Sequence, residues 1–219
     1  MQPILSRITH PAPSTVPVKN IIFDFGGVIC NIDVKRSEKA FRDLGFSGKE
    51  AKPGEYDAPA LYDAVERGLL DPAGFREELR RFIPRPVTDN ELDAAWNALL
   101  LDIPRERIAL LRALAGDYRI FLLSNSNEIH YYSYSARLLR DHGCRFEDLF
   151  EKTWFSYRIR LCKPSPEIFR YVLRDGGLVA GETLFIDDTL MHVEGARKEG
   201  IQAIHLDLSK DEEVTDLFL

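Results

Sequence analysis

Cysteine is scarce in this chain of 219 residues. Cys30, Cys144 and Cys162 are the only three, an odd number with no C-x-x-C pair. That argues against a disulfide framework and a structural zinc site, and for a reducing, cytoplasmic setting. Long apolar runs are lacking too. None approaches the roughly 18 residues that a membrane-spanning helix needs. No block of five basic residues occurs and the net charge is −6, which speaks against nucleic acid as a partner. A small anionic substrate stays compatible, because one local Lys or Arg outweighs a modest global charge. There is no internal repeat and no low-complexity tract. Residues 1–19 carry Pro3, Pro11, Pro13 and Pro17 and no continuous apolar core. They do not have the pattern of a signal peptide and are expected to form a loose arm.

What is present suffices for one sizeable core with a small insertion: 45% of residues are hydrophobic and 29% charged. Short apolar runs at 21–25, 119–124 and 183–186 read as buried parallel strands, and 202–206 as a fourth. The first three close on a polar residue able to do chemistry: Asp24, Ser124 and Asp187. Helical patterns at 105–114, 166–174 and 193–199 separate them. Strands alternating with helices predict an α/β fold, a Rossmann-like parallel sheet with helices on both faces. Ligands of such sheets bind at the carboxyl ends of the strands. Residues 34–104 break the rhythm. Helices are expected at 38–44, 60–67, 73–82 and 91–101, with prolines between them and no strand. The expected division is therefore an arm (1–19), an α/β core (20–33 and 105–219) and an all-helical cap (34–104) forming a lid.

Four stretches carry the chemistry. In Ile22-Phe23-Asp24-Phe25-Gly26-Gly27 a carboxylate stands at a strand end, where it can attack phosphorus and form an acyl phosphate. An Asp before Gly is also a common turn or cap residue. In Ser124-Asn125-Ser126-Asn127 a small hydroxyl and free backbone N–H groups can hold phosphate oxygens, or simply cap the next helix. Lys163, before Pro164, cannot easily lie inside a helix, so it sits in an extended segment ahead of one starting near Pro166. There it either neutralises a nucleophile and phosphate or is an exposed loop lysine. Asp187 and Asp188 repel each other unless a cation sits near. Oxygen-only ligands suit Mg²⁺, with Asp24 completing the set, although a solvated turn also places two carboxylates together. Each stretch alone has a plain explanation; their order together reads as a phosphoryl-transfer site.

These four stretches, from about Asn20 to Leu206, resemble the four motifs of the haloacid dehalogenase-like hydrolase superfamily, and the helical insertion resembles the lid of one major branch. Asp24-Phe25-Gly26-Gly27-Val28-Ile29 with Asn31-Ile32-Asp33 and Arg36, Glu66-Arg67-Gly68, and Ser124 through His130 further resemble a sugar-phosphate phosphatase group that includes alpha-glucose-1-phosphate phosphatases. The resemblance implies Asp24 as nucleophile and Ser124 and Asn125 as phosphate-binding residues. It implies Lys163 as the neutralising cation. Mg²⁺ would be held by Asp24, the Gly26 carbonyl and Asp188, with Asp187 a second or water-mediated ligand. Most phosphatases of the superfamily carry a second Asp, a general acid and base, where this chain has Gly26. Losing such an acid costs about 10²–10⁴ in rate. The sugar-phosphate group also carries Gly there, so activity is expected, favouring good leaving groups; His130 or a water are the substitutes considered. Arg160 stands where relatives often carry Gly.

The expected function is thus Mg²⁺-dependent hydrolysis of a small phosphorylated metabolite. The alternatives are a phosphate-binding or regulatory protein with little turnover and, against the Asp187–Asp188 pair, a metal-independent dehalogenase. Trp96 and Asn97, Tyr131, Tyr132 and Tyr134, and His192 are further candidates, each with a packing or surface role as the plainer reading. Monomer and homodimer are equally open.

Overall fold

The apolar run after Lys19 forms β1 (Asn20–Phe23), and four more strands join it: β2 (Arg119–Ser124), β3 (Lys152–Phe155), β4 (Thr183–Asp187) and β5 (Gln202–His205). The computed structural model describes residues 16–47 and 57–218. Most of the proposed arm, residues 1–15, lies outside them, as does 48–56. All four strand pairs are parallel, in the order β3-β2-β1-β4-β5. The chain fills one side of β1 first and then the other, so the crevice beside β1 is the point where the connections diverge. That is where open α/β sheets bind ligands.

Alternation along the strands builds two cores. Ile21, Phe23, Leu122, Leu184 and Ile186 point to one face, with Leu111, Leu114 and Leu138 of the covering helices. Ile22, Phe121, Leu123 and Phe185 point to the other, against Phe169 and Val172. Period-two alternation with both faces buried is why these strands read as unbroken apolar runs. The core helices are α5 (Arg105–Leu114), α6 (Glu128–His142), the single turn α7 (Ser156–Ile159), α8 (Pro166–Gly176) and α9 (Leu190–Lys198). Three of these elements, β3, α6 and the single turn α7, lie beyond the sequence expectation. β3 is a half-exposed edge strand of four residues, too short to show a period. α6 is rich in Tyr and Ser, which have modest helix propensity, and owes its stability to packing.

Between β1 and α5 come α1 (Val34–Asp43), α2 (Ala58–Glu66), α3 (Pro72–Arg80) and α4 (Asp89–Asn97). The helix starts follow from local chemistry. Asp33, Asp57 and Asp71 cap the first three, and Thr88 with Glu91 makes a capping box on the fourth. Prolines open α2 and α3 where no N–H is needed. The four helices share an apolar cluster of their own, including Phe41, Leu61, Phe75, Leu79 and Trp96, joined from α6 by Ile129. The chain leaves and re-enters the core side by side: Asn31 N–H donates to the Asp102 carbonyl at 2.9 Å and Leu101 N–H to the Asn31 carbonyl at 2.9 Å. Among the described residues no helix is long and apolar enough to cross a membrane.

Candidate active site

Asp24 is the first residue past β1, and its N–H still donates to the Ile186 carbonyl at 2.9 Å. The ladder therefore carries its carboxyl to the crevice between β1 and β4. Lys163 meets it there. The Lys163 Nζ lies 2.8 Å from Asp24 Oδ1, 2.6 Å from Asp187 Oδ2 and 3.0 Å from the Leu123 carbonyl. An ammonium has three hydrogens, and these three acceptors use them all. The Lys163 side chain is wholly buried. Burial opposes its charge, but the Asp187 and Asp24 carboxylates outweigh that and raise its pKa. It is therefore an ammonium at neutral pH.

What holds Lys163 in place is Asn125. Its side-chain oxygen accepts from Lys163 N–H at 2.9 Å and its Nδ2 donates to the Lys163 carbonyl at 3.0 Å. The amide thus pairs with the loop ahead of α8 as a neighbouring strand would. Ser124 ends β2 beside it, buried, with its hydroxyl donating only a long bond of 3.3 Å to the Asn125 carbonyl. That hydroxyl can turn to another acceptor at little cost.

Asp187 is fully buried and its oxygens are taken. Thr189 N–H donates to Oδ1 at 2.8 Å, His192 Nδ1 lies 3.0 Å from Oδ1, and Lys163 holds Oδ2. Burial pushes its pKa up, but Lys163 and His192 more than reverse this, and it ends below the usual carboxylate range. Asp188 is half-buried and less engaged. Burial and the neighbouring Asp187 raise its pKa. Gly27 makes room for it: a Cβ there, at a φ of +75°, would stand 2.3 Å from Asp188 Oδ2. Asp24 is raised by burial first, against the pull of Lys163 and with the push of Asp187 and Asp188.

Asp24, Asp187 and Asp188 each offer an oxygen within 4.8 Å of the others. Three carboxylates therefore face a single ammonium, and this crowding adds to the burial that raises Asp24 and Asp188 in the first place. A hard divalent cation fits both the charge and the all-oxygen donor set. Asp24 and Asp188 are its natural donors, since Asp187 is committed to Lys163 and His192. Gly26, two residues past Asp24, lies at the rim, and a Cβ there would meet only Ile32, at 3.5 Å.

The insertion reaches this site through two seams. In one, Ser156 at the end of β3 accepts from Ser126 N–H at 2.9 Å and presents its hydroxyl to the carbonyls of Ser126, at 3.0 Å, and Glu66, at 2.7 Å. The Gly68 backbone presses on Tyr157 so closely that a Cβ would stand 2.2 Å from its carbonyl oxygen. In the other, Trp96 stacks on His130 at 4.8 Å and donates its indole N–H to Asn127 Oδ1 at 3.2 Å. Ser156 and Asn127 are parts the sequence did not signal as such. The first follows an unforeseen strand, and the second announces itself only as a helix cap.

His130 is not a substitute acid. Its Nδ1 lies 2.8 Å from Asn97 Oδ1, an oxygen that can only accept, which fixes the Nδ1–H tautomer. Burial pushes its pKa down to about 3. The unfolded chain binds a proton below about 6.5, while the folded protein does not until near 3, so stability is lost as the pH falls through that window. Wild type is expected to lose on the order of 2 kcal/mol more than His130→Leu between pH 7 and pH 5. Urea unfolding of both proteins at the two pH values measures the difference.

The remaining candidates fall on the plainer side. Tyr134 is buried, with its hydroxyl 2.9 Å from Ser126 Oγ, Tyr131 packs under the Arg158 guanidinium at 4.1 Å, and Tyr132 is exposed. Arg160 is an exposed left-handed cap of α7, with φ of 56°.

Residues 18–200 match the sequence model of the haloacid dehalogenase-like hydrolases. The chain belongs to the haloacid dehalogenase-like hydrolase family. It is 29% identical over 185 residues to a D-ribitol-5-phosphate phosphatase of Bacteroides thetaiotaomicron, covering 84% of this chain and 90% of that one. It is 25% identical over 190 residues to a sesquiterpene phosphatase of Aspergillus oryzae, covering 86% and 89%. A crystal structure of a family enzyme from Bacteroides thetaiotaomicron, in complex with magnesium and inorganic phosphate, superposes with a TM-score of 0.78 at 36% identity. It covers 86% of this chain and 93% of that chain. The parallel sheet and the hydrolase class expected from the sequence both stand.

Proposed function

We propose that this family member is a Mg²⁺-dependent phosphatase of a small phosphorylated metabolite, a sugar or polyol phosphate. The observation that carries the reading is the Asp24–Lys163–Asp187 cluster beside Asp188: a nucleophile, a buried cation and an excess of carboxylate oxygen at one strand-end crevice. Asp24 and Asp188 would hold the ion, with the Gly26 carbonyl as the backbone donor and Asp187 one step behind. When bound, it would supply positive charge against the crevice and the phosphate oxygens, so that an anion could approach an anion.

The chain's own groups do the rest. Ser124 and the loop after β2 hold the phosphoryl oxygens, and Asn125 keeps the Lys163 ammonium fixed beside them. Lys163 offsets the charge that develops on the transferring group. Asp24 attacks phosphorus in line, the phosphorus–oxygen bond to the alcohol breaks, and the phosphoryl group rests on Asp24 until water removes it. A dehalogenase working without metal has no use for Asp188 beside Asp187. Helices α1–α4 act as the lid over this crevice, excluding water and selecting the alcohol.

Phosphate release from a panel with and without Mg²⁺ tests the reading. The panel is D-ribitol 5-phosphate, glucose 1-phosphate, glucose 6-phosphate, glycerol phosphate and p-nitrophenyl phosphate. Metal-dependent turnover of one or more is expected. Tight binding of inorganic phosphate with no release from any member would mark a binding protein instead.

A further inference from the structure

The leaving alcohol needs a proton, and Gly26 has no side chain to supply it. The other titratable groups around Asp24 are committed. Lys163 spends its three hydrogens on Asp24, Asp187 and Leu123. His192 faces Asp187, His130 is locked neutral against Asn97, and the Tyr134 hydroxyl is buried against Ser126. Asp188 belongs to the cation's donor set. In-line attack by Asp24 puts the leaving oxygen on the far side of phosphorus, away from the sheet and towards the insertion. The donor must therefore come from α1–α4.

Glu66 is the carboxyl in that position. It is the last residue of α2, and its carbonyl is held by two core residues. Its carbonyl accepts from Ser156 Oγ at 2.7 Å, the same hydroxyl that fixes Ser126 in the phosphate-binding loop. It also accepts from the thiol of Cys162, the residue before Lys163, at 3.8 Å. Gly68, two residues on, is wedged against Tyr157. The segment is thus held in a fixed position over the loops that carry Ser124 and Lys163. The Glu66 side chain itself is half-buried and makes no hydrogen bond or ion pair among the described residues. It lies within electrostatic reach of Lys163.

Resting on the phosphatase reading, we propose that Glu66 is the general acid and base of the reaction, supplied by the lid in place of the missing side chain at Gly26. As the phosphorus–oxygen bond breaks, its electron pair goes to the alcohol oxygen, which takes the proton from the Glu66 carboxyl. The resulting carboxylate then accepts a proton from the water that attacks the phosphoryl group on Asp24. Asp24 leaves as a free carboxylate, phosphate departs, and Glu66 is a protonated acid again. Its surroundings suit the task. Burial and then Asp63 raise its pKa to about 7, while Lys163 and Arg67 pull the other way; Cys162 is the remaining titratable neighbour. An acid with a pKa near the working pH is half-protonated there, the best compromise for giving and taking a proton.

The test compares Glu66→Gln with wild type, both with Mg²⁺, on p-nitrophenyl phosphate and on the alkyl phosphates of the panel. The nitrophenolate leaves unaided; an alkoxide does not. Glu66→Gln is expected to lose about 10²–10⁴ in kcat on the fastest alkyl phosphate and less than about tenfold on p-nitrophenyl phosphate. The wild-type fall in alkyl phosphate turnover above pH 7 should vanish in the variant. An equal change on both substrates, whether no loss or the same loss, overturns the assignment, because a structural role does not distinguish leaving groups. Wild-type turnover of p-nitrophenyl phosphate but of no alkyl phosphate also overturns it and leaves the phosphatase reading intact. A wild type inert on every member overturns both.

Discussion

Replacing Asp24 with asparagine is expected to lower phosphate release to background, a loss of at least about 10⁴, and to make the metal-free protein more stable. The first effect follows from chemistry. An amide oxygen is too weak a nucleophile to form the phosphoryl intermediate, and no neighbouring carboxylate is free to take its place: Asp187 is bound to Lys163 and His192, and Asp188 faces Gly27. The second follows from burial and the crowding of charge. Asp24 sits in a crevice where three carboxylates share one ammonium, and its folded pKa is raised above its unfolded value. A group shifted in that direction contributes most below the unfolded pKa and costs stability as the pH rises through the folded one. Asparagine removes that cost. In EDTA above neutral pH, Asp24→Asn should exceed wild type by roughly 2–4 kcal/mol in urea unfolding. Added Mg²⁺ should reverse the order, since wild type keeps the full donor set and gains more from the ion. A variant that is inactive but no more stable in EDTA would show that the site carries no excess charge.

The same opposition between function and stability explains why parts of the site were legible in the sequence and parts were not. Asp24, Ser124 and Asp187 stand out because each ends a run whose neighbours are buried on both faces of the sheet, where a polar residue is costly without a purpose. Lys163 stands out because Pro164 forbids a helix around it. The glycines after Asp24 announce a close approach, and the structure shows what approaches: the Asp188 carboxylate at Gly27. Nothing comparable marks Ser156. It follows an edge strand of four residues, and its bonds to Ser126 and to Glu66 span 30 and 90 positions. Asn125 was legible as a site residue, but that its amide pairs with the Lys163 backbone depends on how two loops meet. His130 invites a catalytic reading from its place in the chain. Its bond to Asn97, which with burial decides the matter, joins α4 to α6 across 33 positions of the chain. Local pattern thus located the residues that pay a burial penalty, and left unseen those whose meaning is a contact between distant segments.

Lys163→Met should cost both activity and fold, and more of each than any other substitution outside the nucleophile. The side chain is wholly buried with two carboxylates on its ammonium, at 2.8 Å and 2.6 Å. Methionine fills much of the same channel but carries no charge, so Asp24 and Asp187 are left facing each other and Asp188. Breaking a buried pair by removing one partner typically costs about 3–5 kcal/mol. The loss should be largest at high pH in EDTA. It should shrink on acidification, as the stranded carboxylates take up protons, and shrink again with Mg²⁺. Turnover should fall by about 10³ or more even with the ion present, because the charge on the transferring phosphoryl group loses its fixed counter-cation. Arginine should not rescue it. The three acceptors of Lys163, including the Leu123 carbonyl at 3.0 Å, surround a compact point charge, and a planar guanidinium cannot meet all three from the same position. Combining Lys163→Met with Asp24→Asn separates the two contributions. If the cost of Lys163→Met is the stranding of charge, the double variant regains a large part of the lost stability in EDTA and none of the activity. If the cost is lost packing alone, the two changes add without interaction.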